Sequence, residues 1–217
     1  MKGLLVKDIR LMKNMKNSII MIILIAVGMG SYLKDVSFII TYMALIGATF
    51  TSSTLSYDEF DNGYAFLLSL PVTRKGYVME KYILGLILCG GGWLIGTIIT
   101  AAAGVIKNTS PLGESLMIAV TLFPFALLLL SVILPFHMKF GGEKGRIIMV
   151  AAMGLIFLVT VIGAKVVEKI HIDLNAVFRN LPEPDMGVAA VSALAVGTVL
   201  MLLSCTISMK IMNKKEF

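Results

Sequence analysis

The chain has 217 residues, of which 58% are hydrophobic and only 15% charged, and its mean hydropathy is +0.92. This composition excludes a soluble globular domain and predicts a single all-α, polytopic membrane domain covering residues 1–217, with no separate soluble domain. The net charge of +6 is explained by membrane topology and lipid headgroups, so we expect no nucleic-acid partner.

The first 17 residues predict an amphipathic helix along the inner headgroups of the membrane. Its apolar side chains recur at helical spacing: Leu5, Ile9 and Met12. Three bases lie away from this stripe: Lys7, Arg10 and Lys13. Asp8 interrupts the apolar arc. A disordered basic tail held by anionic lipid is one alternative, and a signal peptide over Lys2–Gly30 is another.

Six segments are long and apolar enough to predict transmembrane helices. They are roughly Ser18–Leu33, Val36–Ser56, Tyr82–Ile106, Ser115–Pro135, Ile147–Ala164 and Gly187–Met209. With both termini inside, the 19 Lys and Arg residues divide into 14 inner and 5 outer ones. The positive-inside rule therefore predicts a multi-pass protein of the plasma membrane with both termini in the cytoplasm.

The predicted spans contain no Asp, Glu, Lys, Arg or His. Ion-coupled carriers need such groups at depth, and an intramembrane metalloprotease needs the motif H-E-x-x-H, which the chain lacks, so neither class is expected. The chain also lacks the G-x-x-x-x-G-K-[ST] pattern and cannot hold ATP phosphates by itself. Cys89 and Cys205 are interpreted as small apolar side chains. His137 and His171 are interpreted as ordinary surface or interfacial histidines, and no metal site or catalytic residue is expected.

The segment Tyr57–Tyr82 interrupts the apolar sequence between spans two and three, on the predicted inner side. Three acids, Asp58, Glu59 and Asp61, suit the first turn of a helix, where they face the positive end of its dipole. An apolar run follows and stops at Pro71, and Thr73 can cap the helix that enters span three. The segment predicts a short cytoplasmic helix over residues 58–71. The alternative is an interfacial loop whose leucines dip into lipid.

Small residues follow a four-residue spacing in two spans. They are Gly92, Gly96, Thr100 and Gly104 in span three, and Ala189, Ala193 and Gly197 in span six. Such stripes let helix backbones approach closely, either within one subunit or across a dimer. Pro124 and Pro135 predict kinks in span four. Residues 165–186, between the last two spans, predict a short external helical segment or a plain surface loop.

The segment between spans two and three resembles the ABC-2 type (type V) exporter permeases, in which an acidic start is followed by L-P-V-[ST]-R and a K-Y pair. The matching residues are Glu59, Gly63, Leu68, Leu70, Pro71, Val72, Thr73, Arg74, Lys81 and Tyr82. The whole layout is most similar to compact permeases of bacterial exporters for peptide toxins such as phenol-soluble modulins, and to bacitracin-type exporters.

The resemblance implies that residues 1–17 are an elbow helix, that residues 58–71 are a coupling helix for a separate ATPase, and that residues 165–186 cap the outer end of the path. The expected docking residues are Asp58, Glu59, Phe60, Asp61, Gly63, Phe66, Leu67, Leu70, Pro71 and Arg74. The partner subunit would bind ATP and Mg²⁺, and this chain would bind no cofactor.

The sequence therefore predicts a non-enzymatic permease subunit that homodimerises, giving two permeases and two ATPase subunits. Spans without charges and 15 Met residues favour an apolar or amphipathic peptide as cargo. A non-transporting immunity or scaffold protein that sequesters a toxin is the alternative, and an intramembrane enzyme is a third, disfavoured possibility. A P-loop ATPase in the adjacent reading frame would favour transport.

Overall fold

The computed structural model describes residues 2–32, 37–60, 63–69, 71–108, 111–142, 144–145, 147 and 186–215. Within these ranges the chain forms seven α-helices. They are α1 (Lys2–Asn14), α2 (Lys16–Tyr32), α3 (Phe38–Glu59), α4 (Gly63–Ser69), α5 (Arg74–Lys107), α6 (Leu112–Phe140) and α7 (Met186–Lys214). No strand occurs in the described ranges, which confirms the predicted all-α class.

Four of these helices, α3, α5, α6 and α7, are long and apolar enough to cross a membrane. The pair α1 and α2 meets the same test only together, with a bend of 66° between them. The predicted fifth span, Ile147–Ala164, lies outside the described residues except for Ile147, and the predicted external segment 165–186 does so except for Met186. The polytopic membrane fold is therefore confirmed, while the fifth predicted span, Ile147–Ala164, stays a prediction.

Helix directions follow from the contacts between the long helices. α3 and α5 are antiparallel, since Gly96 lies against Ile40 and Gly85 against Thr51. α6 and α7 are parallel, because Ser131 meets Ser204 and Met138 meets Lys215. The ends of α3, α6 and α7 thus meet the start of α5 and the helix α1 at one end of the bundle. We call this the charged end.

Glycine lets α3 and α5 come into backbone contact. A Cβ atom added at Gly92 would lie 2.3 Å from the carbonyl oxygen of Met43, and one at Gly47 would lie 2.4 Å from that of Leu88. A Cβ at Gly96 would lie 2.9 Å from the Cα of Ile40. The stripe predicted in span three therefore faces α3 of the same chain. Close packing of this kind is how small residues contribute in membrane proteins.

The other predicted small residues have varied positions. Gly104 is buried on α5, and Ala193 is half-buried on α7. Gly197 is buried and faces Leu127 and Pro124 of α6. Gly197, the last residue of the α7 stripe, therefore packs onto α6 of the same chain.

A polar network joins α5, α6 and α7 inside the bundle. Pro135 has no N–H, so the carbonyl of Ser131 loses its partner in the helix. The hydroxyl of Ser204 donates to this carbonyl at 2.6 Å and also lies 2.6 Å from the Tyr82 hydroxyl. Ser208 lies 2.9 Å from the same phenol. α7 thus satisfies the backbone defect that Pro135 creates in α6.

Candidate functional site

The turn between α3 and α4 differs from the predicted arrangement. Asp58 and Glu59 end α3 and do not open the short helix, which runs over Gly63–Ser69 only. The chain leaves α3 at Phe60, whose backbone is extended. A Cβ at Gly63 would lie 2.6 Å from the carbonyl oxygen of Asp58, so the tight turn needs glycine there. The predicted docking residues Asp61 and Leu70 lie outside the described residues.

The helix α4 has one face packed against the bundle and one exposed face. Tyr64 and Leu67 are buried in the main hydrophobic core, and the Tyr64 ring packs edge-to-face on Tyr77 with centroids 5.7 Å apart. Burial, together with nearby Glu59, raises the pKa of the Tyr64 phenol, so this group is neutral at physiological pH. Phe66 points away and is 69% exposed.

Three exposed aromatic side chains lie close together in sequence around this turn. Tyr57 is 52%, Phe60 74% and Phe66 69% exposed. We call these three residues the aromatic patch. Pro71, which follows α4, is also exposed. Exposed aromatic side chains at the polar end of a membrane bundle are typical of a surface that contacts a partner protein or the membrane interface.

Behind this turn lies a buried group of acidic and basic side chains, which we call the charge cluster. Its members are Asp8 of α1, Asp58 of α3, and Glu80 and Lys81 of α5. Lys81 is the centre: its ammonium contacts Asp8, lies 2.7 Å from Asp58 and lies 3.3 Å from the Thr54 hydroxyl. A fully buried lysine is tolerated only with such partners.

Further groups complete the hydrogen bonding of Asp58. Its carboxylate accepts a hydrogen bond from the Tyr77 hydroxyl at 2.9 Å and another from Lys7. Lys7 also lies 3.1 Å from Asp8 and, unlike the four buried members of the charge cluster, is partly exposed, at 37%. Glu80 is fully buried, its carboxylate oxygens have no hydrogen-bond partner in the described part of the chain, and its nearest described cation is Lys81 at 3.9 Å.

The buried face of α1 coincides only in part with the predicted apolar stripe. Leu4, Asp8 and Met12 are buried, whereas Ile9 is 53% exposed and Arg10 is exposed. Leu5 is half-buried. Asp8, which we expected to interrupt the apolar arc, is the centre of the contact, because Lys81 provides its counter-charge. The helix also ends at Asn14, and the chain bends before α2.

The end of α7 is held at the charged end by two basic residues. Arg74, predicted to dock a partner, donates to the backbone carbonyls of Met212 at 3.1 Å and of Asn213 and Lys215 at 2.9 Å each. These are carbonyls that a helix end leaves unpaired. Lys215 in turn lies 3.4 Å from Glu59, whose carboxylate also accepts from the backbone N–H of Gly142.

His137 is buried and not a surface histidine, which corrects the sequence interpretation. It is 2% exposed, and its Nδ1 lies 2.7 Å from the Ser52 hydroxyl. Burial between α3 and α6 gives it a structural role as a polar bridge. In the described part of the chain no cluster of His, Cys, Asp or Glu could hold a metal ion.

Comparison with known proteins matches residues 3–213 to the family described as ABC-2 family transporter protein. The chain belongs to this family. No curated protein and no solved structure matches it. The ABC-2 transporter is thus an integral membrane subunit, a permease of an ABC transporter, and the family implies an ABC ATPase as its partner.

The predicted docking residues of this ABC-2 permease fall into three groups. Phe60, Phe66 and Pro71 are exposed; Asp58 and Leu67 are buried; Glu59, Gly63 and Arg74 are half-buried. The sequence reasoning missed Asp8, Glu80 and Lys81 as a connected site. A weak signal was present, since Lys81 directly precedes span three and Asp8 lies inside an otherwise apolar helical face.

Proposed function

We propose that this permease exports amphipathic or apolar peptides of the toxin or antimicrobial type, with ATP hydrolysed by a separate subunit docked on α4. The type V architecture, the peptide cargo and the docked ATPase go beyond the family assignment. The observation that carries the proposal is the two-faced α4: Tyr64 and Leu67 fix it to the core, while Phe66 is left 69% exposed.

Docking at the aromatic patch would transmit a movement of the ATPase into the membrane helices. α4 joins α5 through a short linker that contains Pro71, and Thr73 caps α5 by accepting a hydrogen bond from the N–H of Gly76 at 3.1 Å. The predicted cap at Thr73 is thereby confirmed. The patch also adjoins the end of α3, where Asp58 connects to Lys81. Displacement of α4 would therefore reach α3 and α5 together.

The orientation and assembly form the second part of the proposal. The charged end faces the cytoplasm of a cell whose plasma membrane holds the protein, both termini are cytoplasmic, and residues 165–186 lie outside. Two permeases and two ATPase subunits form the complex, and the ATPase subunits bind ATP and Mg²⁺. The basic residues of the inner segments support this orientation through the positive-inside rule.

The substitution Phe66→Asp tests the docking role, with Tyr32→Asp as the matched control. Tyr32 is 92% exposed and ends α2, at the end of the bundle away from α4. The permease is co-expressed with a P-loop ATPase encoded in an adjacent reading frame, if one is present there, and the complex is purified through a tag on that ATPase. A buried aromatic anchor contributes about 2 kcal/mol or more, so Phe66→Asp should weaken the complex roughly 30-fold. Tyr32→Asp should leave co-elution unchanged.

Transport itself is tested in inside-out vesicles that contain the same complex, with ATP and a fluorescent amphipathic peptide added outside the vesicles. ATP-dependent uptake that Phe66→Asp abolishes supports export through this permease. Normal assembly and normal uptake in Phe66→Asp would refute the docking role of the patch. Peptide binding without ATP-dependent uptake would instead support the immunity or scaffold alternative.

A further inference from the structure

An apolar groove lies between α2, α3 and α5, next to the bend that joins α1 to α2. Met12 at the end of α1 and Ile19 at the start of α2 line its mouth, and Ile95 of α5 lines its far end. Its volume is about 170 Å³. An apolar cavity of about 150 Å³ stays dry and holds a molecule as large as benzene. The groove therefore has room for several methylene groups.

The groove lies beside the first half of α2, whose side chains are less deeply buried than those further along the helix. The buried residues of α2 are Ala26 and Gly30, and a Cβ at Gly30 would lie 3.4 Å from side chains of both Ile39 and Ile99. Near the bend, α2 diverges from α3 and α5. Gly91 forms part of the floor on α5, and a Cβ added there would meet nothing within 4 Å.

The groove is open to the side, toward the surrounding bilayer. Two residues of its α5 rim, Ile87 and Ile95, are 52% and 36% exposed. An apolar group can therefore enter from the membrane without any separation of the helices. In a bilayer the molecule that meets such an opening is a lipid acyl chain.

The bend beside the groove carries positive charge that no ion pair within the described part of the chain neutralises. Arg10, Lys13 and Lys16 are exposed on both sides of the bend. None of them forms an ion pair within the described residues, where the nearby Asp8 is already engaged with Lys7 and Lys81. These bases would attract a phosphate placed at the headgroup level.

We propose that this groove is a binding site for one anionic phospholipid. One acyl chain fills the space between α2 and α5, and the phosphate contacts the bases at the bend. The bound lipid links the α1–α2 bend to α5 and completes the packing that α2 lacks near its start. The proposal depends on the membrane location of the chain and not on its cargo.

The test uses two adjacent glycines of α5, at which an added side chain would point in different directions. Gly91→Leu places a side chain in the groove, whereas Gly90→Leu places one outside it, since Gly90 does not line the groove and also has open space around a Cβ. The full-length protein is delipidated in mild detergent and titrated with dioleoyl phosphatidylglycerol or dioleoyl phosphatidylcholine. Native mass spectrometry counts the bound lipids.

We expect the wild type and Gly90→Leu to bind one phosphatidylglycerol molecule more tightly than phosphatidylcholine. Gly91→Leu should raise the dissociation constant at least about tenfold, because exclusion of about two buried methylenes accounts for such a change. The double variant Lys13→Gln, Lys16→Gln should remove the preference for phosphatidylglycerol while retaining phosphatidylcholine binding. This second variant leaves the groove itself unaltered and tests the headgroup site independently.

Equal phosphatidylglycerol binding by Gly91→Leu and Gly90→Leu would overturn the proposal. The same holds if both lipids bind the wild type alike. Two further measurements test whether the groove binds a peptide or a second copy of the chain. They are a parallel titration with the amphipathic peptide melittin and a measurement of the dimer fraction. If Gly91→Leu lowers peptide binding or dimerisation and leaves lipid binding intact, the groove takes a peptide or a second copy, and the lipid assignment is wrong.

Discussion

Replacement of Lys81 by methionine is the sharpest test of the charge cluster. Methionine has a similar length and volume but no charge, so packing is largely kept. The carboxylates of Asp8 and Asp58 would then share only Lys7, which is 37% exposed, while both carboxylates stay buried. The fully buried centre of the cluster would carry an excess of negative charge.

The expected loss of stability in Lys81→Met follows from the burial of the ion pairs that Lys81 forms. Removing one partner of a buried ion pair costs about 3–5 kcal/mol, because the remaining charge stays desolvated. Lys81 serves two carboxylates and is itself fully buried, so the upper half of this range is expected. The control is Lys75→Met: Lys75 lies on the same helix but is exposed, and surface changes usually stay within about 0.5 kcal/mol.

Reversible unfolding in mixed SDS micelles, followed by helical circular dichroism, measures these free energies. The double variant Asp8→Asn, Lys81→Met completes a double-mutant cycle. Its loss of stability should be smaller than the sum of the two single losses by about 1 kcal/mol or more, since contacting residues couple by roughly 0.5–3 kcal/mol. A Lys81→Met protein no less stable than Lys75→Met would refute the reasoning. Strict additivity with Asp8→Asn would show that α1 is not joined to α5 through this contact.

Four further predictions follow from other parts of the structure. Gly92→Ala should destabilise the α3–α5 contact strongly in SDS unfolding, because its Cβ would lie 2.3 Å from a backbone oxygen, whereas Gly90→Ala should be neutral or mildly stabilising. Ser204→Ala should cost about 1–3 kcal/mol, since the Ser131 carbonyl and Tyr82 lose a buried partner, and Ser192→Ala, on an exposed turn of α7, serves as its control. In a variant without Cys89 and Cys205, single cysteines at Arg74 and Lys144 should be labelled from the cytoplasm, and those at Lys107 and Asp173 from outside; the reverse pattern would invert the proposed orientation. ATP alone should drive peptide uptake in reconstituted complex, and loss of uptake on adding a protonophore with ATP in excess would contradict the predicted absence of proton coupling.

The long helices were predictable because a transmembrane helix requires a long, continuous apolar stretch of sequence. Span three was predicted over Tyr82–Ile106, and α5 contains it within Arg74–Lys107. The errors lie at the charged end, where helices continue past the apolar run. α3 extends to Glu59, since Leu55 and Asp58 are buried on the same face. Hydropathy cannot show this extension, because it depends on the partner that each polar residue meets.

The charge cluster could not be predicted from the sequence for the same reason. Asp8, Asp58 and Lys81 lie on three different helices, and charged residues beside membrane spans usually face water or headgroups. Their burial depends on their mutual pairing, which is a tertiary property. By contrast, the Thr73 cap was predictable, because its partner Gly76 lies three residues away and the chemistry is local.

The location of the charge cluster bears on how a docked partner could move the membrane helices. A purely apolar contact between α1 and the other two helices would constrain its register less than an ion pair does, because hydrophobic attraction has no preferred direction. An ion pair that is buried can dissociate only at a large cost in free energy, so it fixes the register of the helices that it joins. Lys81 joins α1 and α3 to α5, and Asp58 lies directly before the aromatic patch residue Phe60. A force applied at the patch is therefore expected to shift the three helices as one body, and loss of Lys81 should uncouple ATP hydrolysis from transport before it prevents the ATPase from binding.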